Sequence, residues 1–102
     1  MPTTTKTTLH IINKTTTNAR LYQDCCDSML EGDELLLIES AVYAGCEQNF
    51  HSAIPTSFPI YALEVDVAAR GLTDKLNKEI QLIDDNQFVN LCCIHHKSIS
   101  WF

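Results

Sequence analysis

A three-layer α/β fold, a small mostly parallel sheet with helices on both faces, is what this sequence predicts. Three observations predict it. Short apolar runs recur at rather even intervals, at Leu9–Ile12, Leu35–Ile38, Ile60–Leu63 and Ile80–Ile83. The second and third are continuously apolar, as parallel strands covered on both faces are. Helix-forming stretches lie between the runs, and such βαβ succession builds a parallel sheet with right-handed crossovers.

The elements follow in order. Residues 1–8 hold five threonines and read as a flexible lead, leaving one domain over 9–102. Leu9-His10-Ile11-Ile12 is the first strand, and Asn13–Asn18 supplies turn and capping residues, with Thr17 or Asn18 as the helix N-cap. Ala19–Glu31 reads as a helix whose apolar stripe is Ala19, Tyr22, Cys26, Met29 and Leu30, ended by Gly32. Further helices are expected over Ser40–Asn49, over Val65–Arg70 with Gly71 as its stop, and over Asn86–His96. Pro55 and Pro59 punctuate the loop before the third strand, and Ile80–Ile83 alternates partly, as an edge or half-covered strand does.

Composition excludes several classes of function. The 102 residues suit one domain, 45% hydrophobic and 20% charged. Thirteen acidic against seven basic side chains give a net charge of −6, which repels phosphate backbones, so no direct nucleic-acid partner is expected. The apolar runs are far too short to span a bilayer, and the N-terminus has no apolar signal core. A cytoplasmic, membrane-free protein is therefore expected, with its five cysteines mostly reduced. The glycines are isolated and form no phosphate loop, and no hydrolase elbow or kinase motif appears.

What chemistry there is must come from cysteines, histidines and a few acids. Helical spacing puts Cys26 in the middle of the first helix's apolar stripe, where it serves as a small hydrophobe, and Cys25 at its edge, where the thiol is reachable. A sulfur carrier needs such a thiol, because the thiolate takes the outer sulfur of a donor persulfide and hands it on. Asp24, Asp27 and a place in the second half of the helix all disfavour a thiolate there. Cys92, Cys93, His95 and His96 resemble metal ligands, with Cys46 and His51 as possible additions. On one helix, however, Cys92 and His96 share a face with Phe88 and Val89 while Cys93 and His95 point elsewhere, so no metal site and no cofactor is expected. His10 is either a satisfied core or edge histidine or part of a subunit contact. Asp66 and Arg70 read as an exposed i, i+4 ion pair of small value, and Trp101-Phe102 either folds back or anchors a partner.

Several segments in fixed order resemble the TusB/DsrH family of sulfur-relay subunits. These are Leu9-His10-Ile11-Ile12-Asn13-Lys14; Glu31-Gly32-Asp33-Glu34-Leu35-Leu36-Leu37 followed by Val42-Tyr43-Ala44; Ile60-Tyr61-Ala62-Leu63 with Asp66 and Ala69-Arg70-Gly71-Leu72; and Ile80, Leu82-Ile83-Asp84, Phe88-Val89 and Leu91, leading to Trp101. Ala41 and Asp85 depart from the pattern, standing where a Gly and a Tyr are common. The resemblance implies a fold of the DsrE/F type and assembly with TusC/DsrF-like and TusD/DsrE-like subunits into a heterohexamer. That complex draws sulfur from a TusA-like carrier and passes it toward a TusE-like one for 2-thiouridine in tRNA, or, in Dsr systems, serves sulfur oxidation. It further implies that the principal active cysteine belongs to the TusD/DsrE-like subunit. DsrH-like members can carry a cysteine seven residues before the helix-ending Gly, and here that position is Cys25.

Overall fold

Residues 6–47 and 58–102 are described by a computed structural model. Their strands are β1 (Thr8–Ile12), β2 (Glu34–Leu37), β3 (Ile60–Leu63), β4 (Ile80–Ile83) and β5 (Lys97–Trp101). All pair in parallel, in the order β4-β3-β2-β1-β5. Helix α1 (Ala19–Ser28), a 3-10 helix (Glu39–Cys46), α2 (Glu64–Ala69) and α3 (Asp85–Ile94) make the connections. The three-layer parallel α/β fold predicted from the sequence is thus the observed one.

Two apolar cores flank the sheet. On one face Ile12, Leu35, Leu37, Ile60, Ala62 and Ile80 meet Tyr22 and Cys25 of α1, Val42 of the 3-10 helix and Val67 of α2. On the other Leu9, Ile11, Leu36, Leu63 and Ile83 are closed over by α3 through Leu91 and Phe88. All five residues of β1 are buried, which requires cover on both faces and a strand on each side.

Local chemistry sets the boundaries. Asp84 caps α3 in a capping box, its carboxylate accepting the Gln87 N–H at 2.8 Å while the Gln87 amide oxygen accepts the Asp84 N–H at 2.8 Å. Gly71 ends α2 at φ +67°, with the Leu72 N–H reaching the Val67 carbonyl at 3.0 Å and the Gly71 N–H reaching that of Ala68 at 3.0 Å, a Schellman closure. Gly45 lets the 3-10 helix approach the sheet, since a Cβ there would lie 2.8 Å from Ile80 Cδ1 and 2.8 Å from Leu76 Cδ1.

Four expectations need correction. Helix α1 stops at Ser28 rather than Glu31, and Gly32 at φ +92° serves the turn that follows, closed by the Asp33 N–H on the Leu30 carbonyl at 2.9 Å. The helix expected from Ser40 to Asn49 is a 3-10 helix ending at Cys46, and residues 48–49 lie outside the described residues. Thr8, assigned to the lead, begins β1, whereas residues 1–5 of that lead lie outside the described residues. The stretch taken as the end of a helix and an aromatic tail is instead a turn at His95 and His96 followed by β5.

Candidate functional site

The polar groups buried in this fold gather at the amino ends of β1 and β2. Asp33, just before β2, is 3% exposed and accepts three hydrogen bonds. Oδ1 takes the Thr8 N–H at 2.9 Å, and Oδ2 takes the Leu30 N–H at 3.0 Å and His10 Nε2–H at 2.9 Å. Across the His10 ring, Nδ1 accepts the Trp101 indole N–H at 3.0 Å, with the two rings 19° from parallel. An indole nitrogen only donates, so this chain fixes the tautomer, with the imidazole proton on Nε2. Burial by itself would raise the Asp33 carboxyl, but the Leu30 N–H, the His10 ring and the Thr8 N–H outweigh it and hold the group below the usual carboxylate range.

A second pair stands beside the first, on the opposite face of the sheet. His95 Nε2 donates to Glu34 Oε1 at 2.7 Å, its Nδ1 lies 2.8 Å from the Thr7 hydroxyl, and the Tyr61 hydroxyl donates to Glu34 Oε2 at 3.1 Å. Burial raises the Tyr61 phenol, and the Glu34 charge adds to the effect. Both histidines are thereby consumed in tying β5 and the segment before β1 to β2. His10 is a satisfied core histidine, one of the two roles open to it in the sequence. The acids that satisfy the two histidines, Asp33 and Glu34, escaped the sequence reading as site residues. The available signal was a histidine inside an apolar strand, which when buried demands a hydrogen-bond partner.

The thiols are arranged otherwise than their spacing suggested. Cys25, expected at the edge of the stripe, is 1% exposed, whereas Cys26, expected at its centre, is only half-buried. The buried face is Tyr22, Cys25 and Met29, because α1 ends at Ser28 and takes Leu30, 71% exposed, out of the helical stripe. Burial, with Cys26 and Asp33 nearby, pushes the Cys25 thiol up to about 12. Burial likewise raises Cys26, Cys46 and Cys92. Helix α3 is also rotated from expectation, since Phe88, Leu91 and His95 face inward while Val89, Cys92 and Cys93 are exposed. Among the described residues no three His, Cys, Asp or Glu side chains are grouped to hold a metal, and His51 lies outside those residues.

Open α/β sheets bind ligands beyond the carboxyl ends of their strands. There a polar cavity of about 450 Å³ lies between Asn13, Lys14, Asn18, Glu39 and Arg70, and no thiol lines it. Glu39 sits at φ +50°, its N–H held by Asp66 Oδ2 at 2.7 Å. Asp66 in turn lies 3.9 Å from Arg70 Nη1. The Asp66–Arg70 pair, expected to be exposed, is half-buried, and Arg70 lines this cavity.

The sequence model of the family described as DsrH like protein matches residues 16–98. Protein TusB of Photorhabdus laumondii subsp. laumondii is 39% identical over 75 residues, covering 72% of this chain and 79% of that protein. The chain belongs to the TusB/DsrH family. Other TusB/DsrH relatives are Protein TusB of Escherichia coli K12, 41% identical over 73 residues, with 70% of this chain and 77% of that protein covered, and Protein TusB of Pectobacterium carotovorum subsp. carotovorum, 34% identical over the same extent. This is the sulfur-relay family whose motifs the sequence carries. Among the described residues no helix is long and apolar enough to cross a membrane.

Proposed function

We propose that this chain is an assembly subunit of a cytoplasmic heterohexameric sulfurtransferase complex, in which it completes the binding surface for TusC/DsrF-like and TusD/DsrE-like partners. The complex passes persulfide sulfur from a TusA-like to a TusE-like carrier, toward 2-thiouridine at the wobble position of tRNA. One observation carries the reading: the chain has no activated thiol where a ligand would sit. The carboxyl-end cavity is lined without sulfur, and Cys25 lies on the buried face of α1 with its thiol raised to about 12. At pH 7 only about one such thiol in 10⁵ is ionised, and the thiolate is the species that attacks a persulfide. The reacting sulfur therefore belongs on a partner. Co-expression with TusC- and TusD-like chains is expected to give one co-purifying oligomer containing all three, whereas a chain that elutes alone under those conditions removes the proposal.

A second reading takes the chain as a DsrH-like subunit in dissimilatory sulfur oxidation, with Cys25 itself holding persulfide. It rests on Cys25 standing seven residues before Gly32, where DsrH-like members can carry a cysteine. The two readings separate by intact-mass measurement after incubation with inorganic polysulfide. On the first, any added sulfur resides on the exposed Cys92 and Cys93, and its amount is the same in Cys25→Ser. Loss of added sulfur in Cys25→Ser alone would establish the second.

A further inference from the structure

The outer edge of β5 carries an unused and self-complementary row of residues. Its inner edge is fully engaged, from Thr8↔Lys97 to Ile12↔Trp101, and among the described residues no strand lies on the other side. Proteins blunt exposed edges with prolines, bulges or charges. The opposite edge, β4, is kept to four residues between charges, with Lys78 and Glu79 before it and Asp84 and Asp85 after it. In contrast, β5 is an unbroken Lys-Ser-Ile-Ser-Trp, without proline and with its single charge at the first position. In an acidic chain of net charge −6, it is a stretch from which a second copy is not repelled.

The order of those residues reads almost the same in both directions. An antiparallel partner centred on Ile99 places Ile99 against Ile99 of the second copy, Ser98 against its Ser100, and Lys97 against its Trp101. The registers with β1 put Lys97, Ile99 and Trp101 on the face of His10 and Ile12, and the serines on the face of Leu9 and Ile11. Every cross-strand pair is therefore matched on its own face: aliphatic on aliphatic, hydroxyl on hydroxyl, ammonium on indole. One stage further out, His96 meets Phe102 of the second copy, and both are exposed. Such self-matching is what a two-fold interface requires.

We infer that β5 is a homotypic pairing edge, through which two copies of this chain join antiparallel into one continuous sheet. The pairing needs no partner subunit, so its failure leaves the relay reading standing. Sedimentation velocity on the full chain across a micromolar concentration series tests it. The wild type is expected to approach twice 11.5 kDa as concentration rises. S98K/S100K sets lysine against lysine at two positions without touching the core, and is expected to be a monomer throughout. S98K/S100E sets each new lysine against a new glutamate and is expected to restore the dimer, which a general loss of fold would not do. A wild type that stays monomeric overturns the inference, as does a dimer that survives S98K/S100K, or an S98K/S100E variant as monomeric as S98K/S100K. A chain monomeric alone that adds a sister subunit through the same serines overturns it in favour of a heterotypic edge.

Discussion

Replacing Asp33 by asparagine is expected to destabilise the fold by about 2–6 kcal/mol, because two N–H donors lose their acceptor and each such loss costs about 1–3 kcal/mol. An asparagine oxygen can keep the Thr8 N–H, but its amide then points donors at the Leu30 N–H and at His10 Nε2–H. The imidazole cannot relieve the conflict by moving its proton to Nδ1, because Nδ1 faces the Trp101 indole N–H. One substitution thus unsettles three segments of chain, out of a total stability of about 5–15 kcal/mol for an ordinary domain. The same carboxylate predicts a pH dependence of definite sign. Its folded pKa lies below the unfolded value of about 3.9, so the unfolded chain takes up the proton first as pH falls. Its contribution is present above about pH 4 and is lost as pH drops through the folded value. Urea unfolding between pH 6 and pH 2 is expected to show a shallower acid slope in Asp33→Asn than in the wild type; equal slopes would show that this group is not what titrates.

Leu36→Ala is expected to cost about 2–5 kcal/mol. Leu36 is 0% exposed in β2, at the middle of the sheet, on the face that α3 covers among the described elements. A cavity is cheap only where its walls can move in. Helix α3 is held at its start by its direct connection to β4 at Ile83 and at its end by His95 on Glu34, which resists its settling into the gap and favours the upper half of the range. Val65→Ala, at a valine 57% exposed on α2, is expected to change stability by less than about 0.5 kcal/mol. Denaturant midpoints of the two variants at matched conditions check the contrast, and a Leu36→Ala midpoint as close to wild type as that of Val65→Ala would contradict it.

Strands β1 to β4 were legible because each is an apolar run between turn residues, and the fold class follows from their spacing. β5 was not legible. Its Lys97, Ser98 and Ser100 dilute the apolar signal to that of a loop, since an edge strand buries little and needs little hydrophobicity. The clue lay elsewhere, in β1, whose Leu9, Ile11 and Ile12 present apolar side chains to both faces and so ask for a neighbour on both sides. At the candidate site, the sequence singled out Cys25 and His10 but misjudged which cysteine faces inward. A helix that ends three residues early shifts the inward face from Cys26 to Cys25, and no local residue announces that ending, because the turn made by Gly32 follows it. The acids Asp33 and Glu34 stand ahead of the apolar run Leu35–Ile38 with no local sign that they are engaged. Their burial depends on histidines 23 and 61 positions away, a relation that only the folded sheet creates.

The pairing of β1 with β5 also sets a timetable for the nascent chain. Each residue of β1 waits for a partner synthesised 89 positions later. A ribosome that has delivered β1 to β4 has therefore produced a sheet with a raw apolar flank, and His10 lacks the indole that completes it. Closure of so long a loop is slow compared with helix formation, so the β1–β5 pairing forms late. A stall or a proteolytic nick between α3 and β5 would leave a strand buried along its whole length open to whatever chain lies nearest, and that interval is where chaperone protection would matter most.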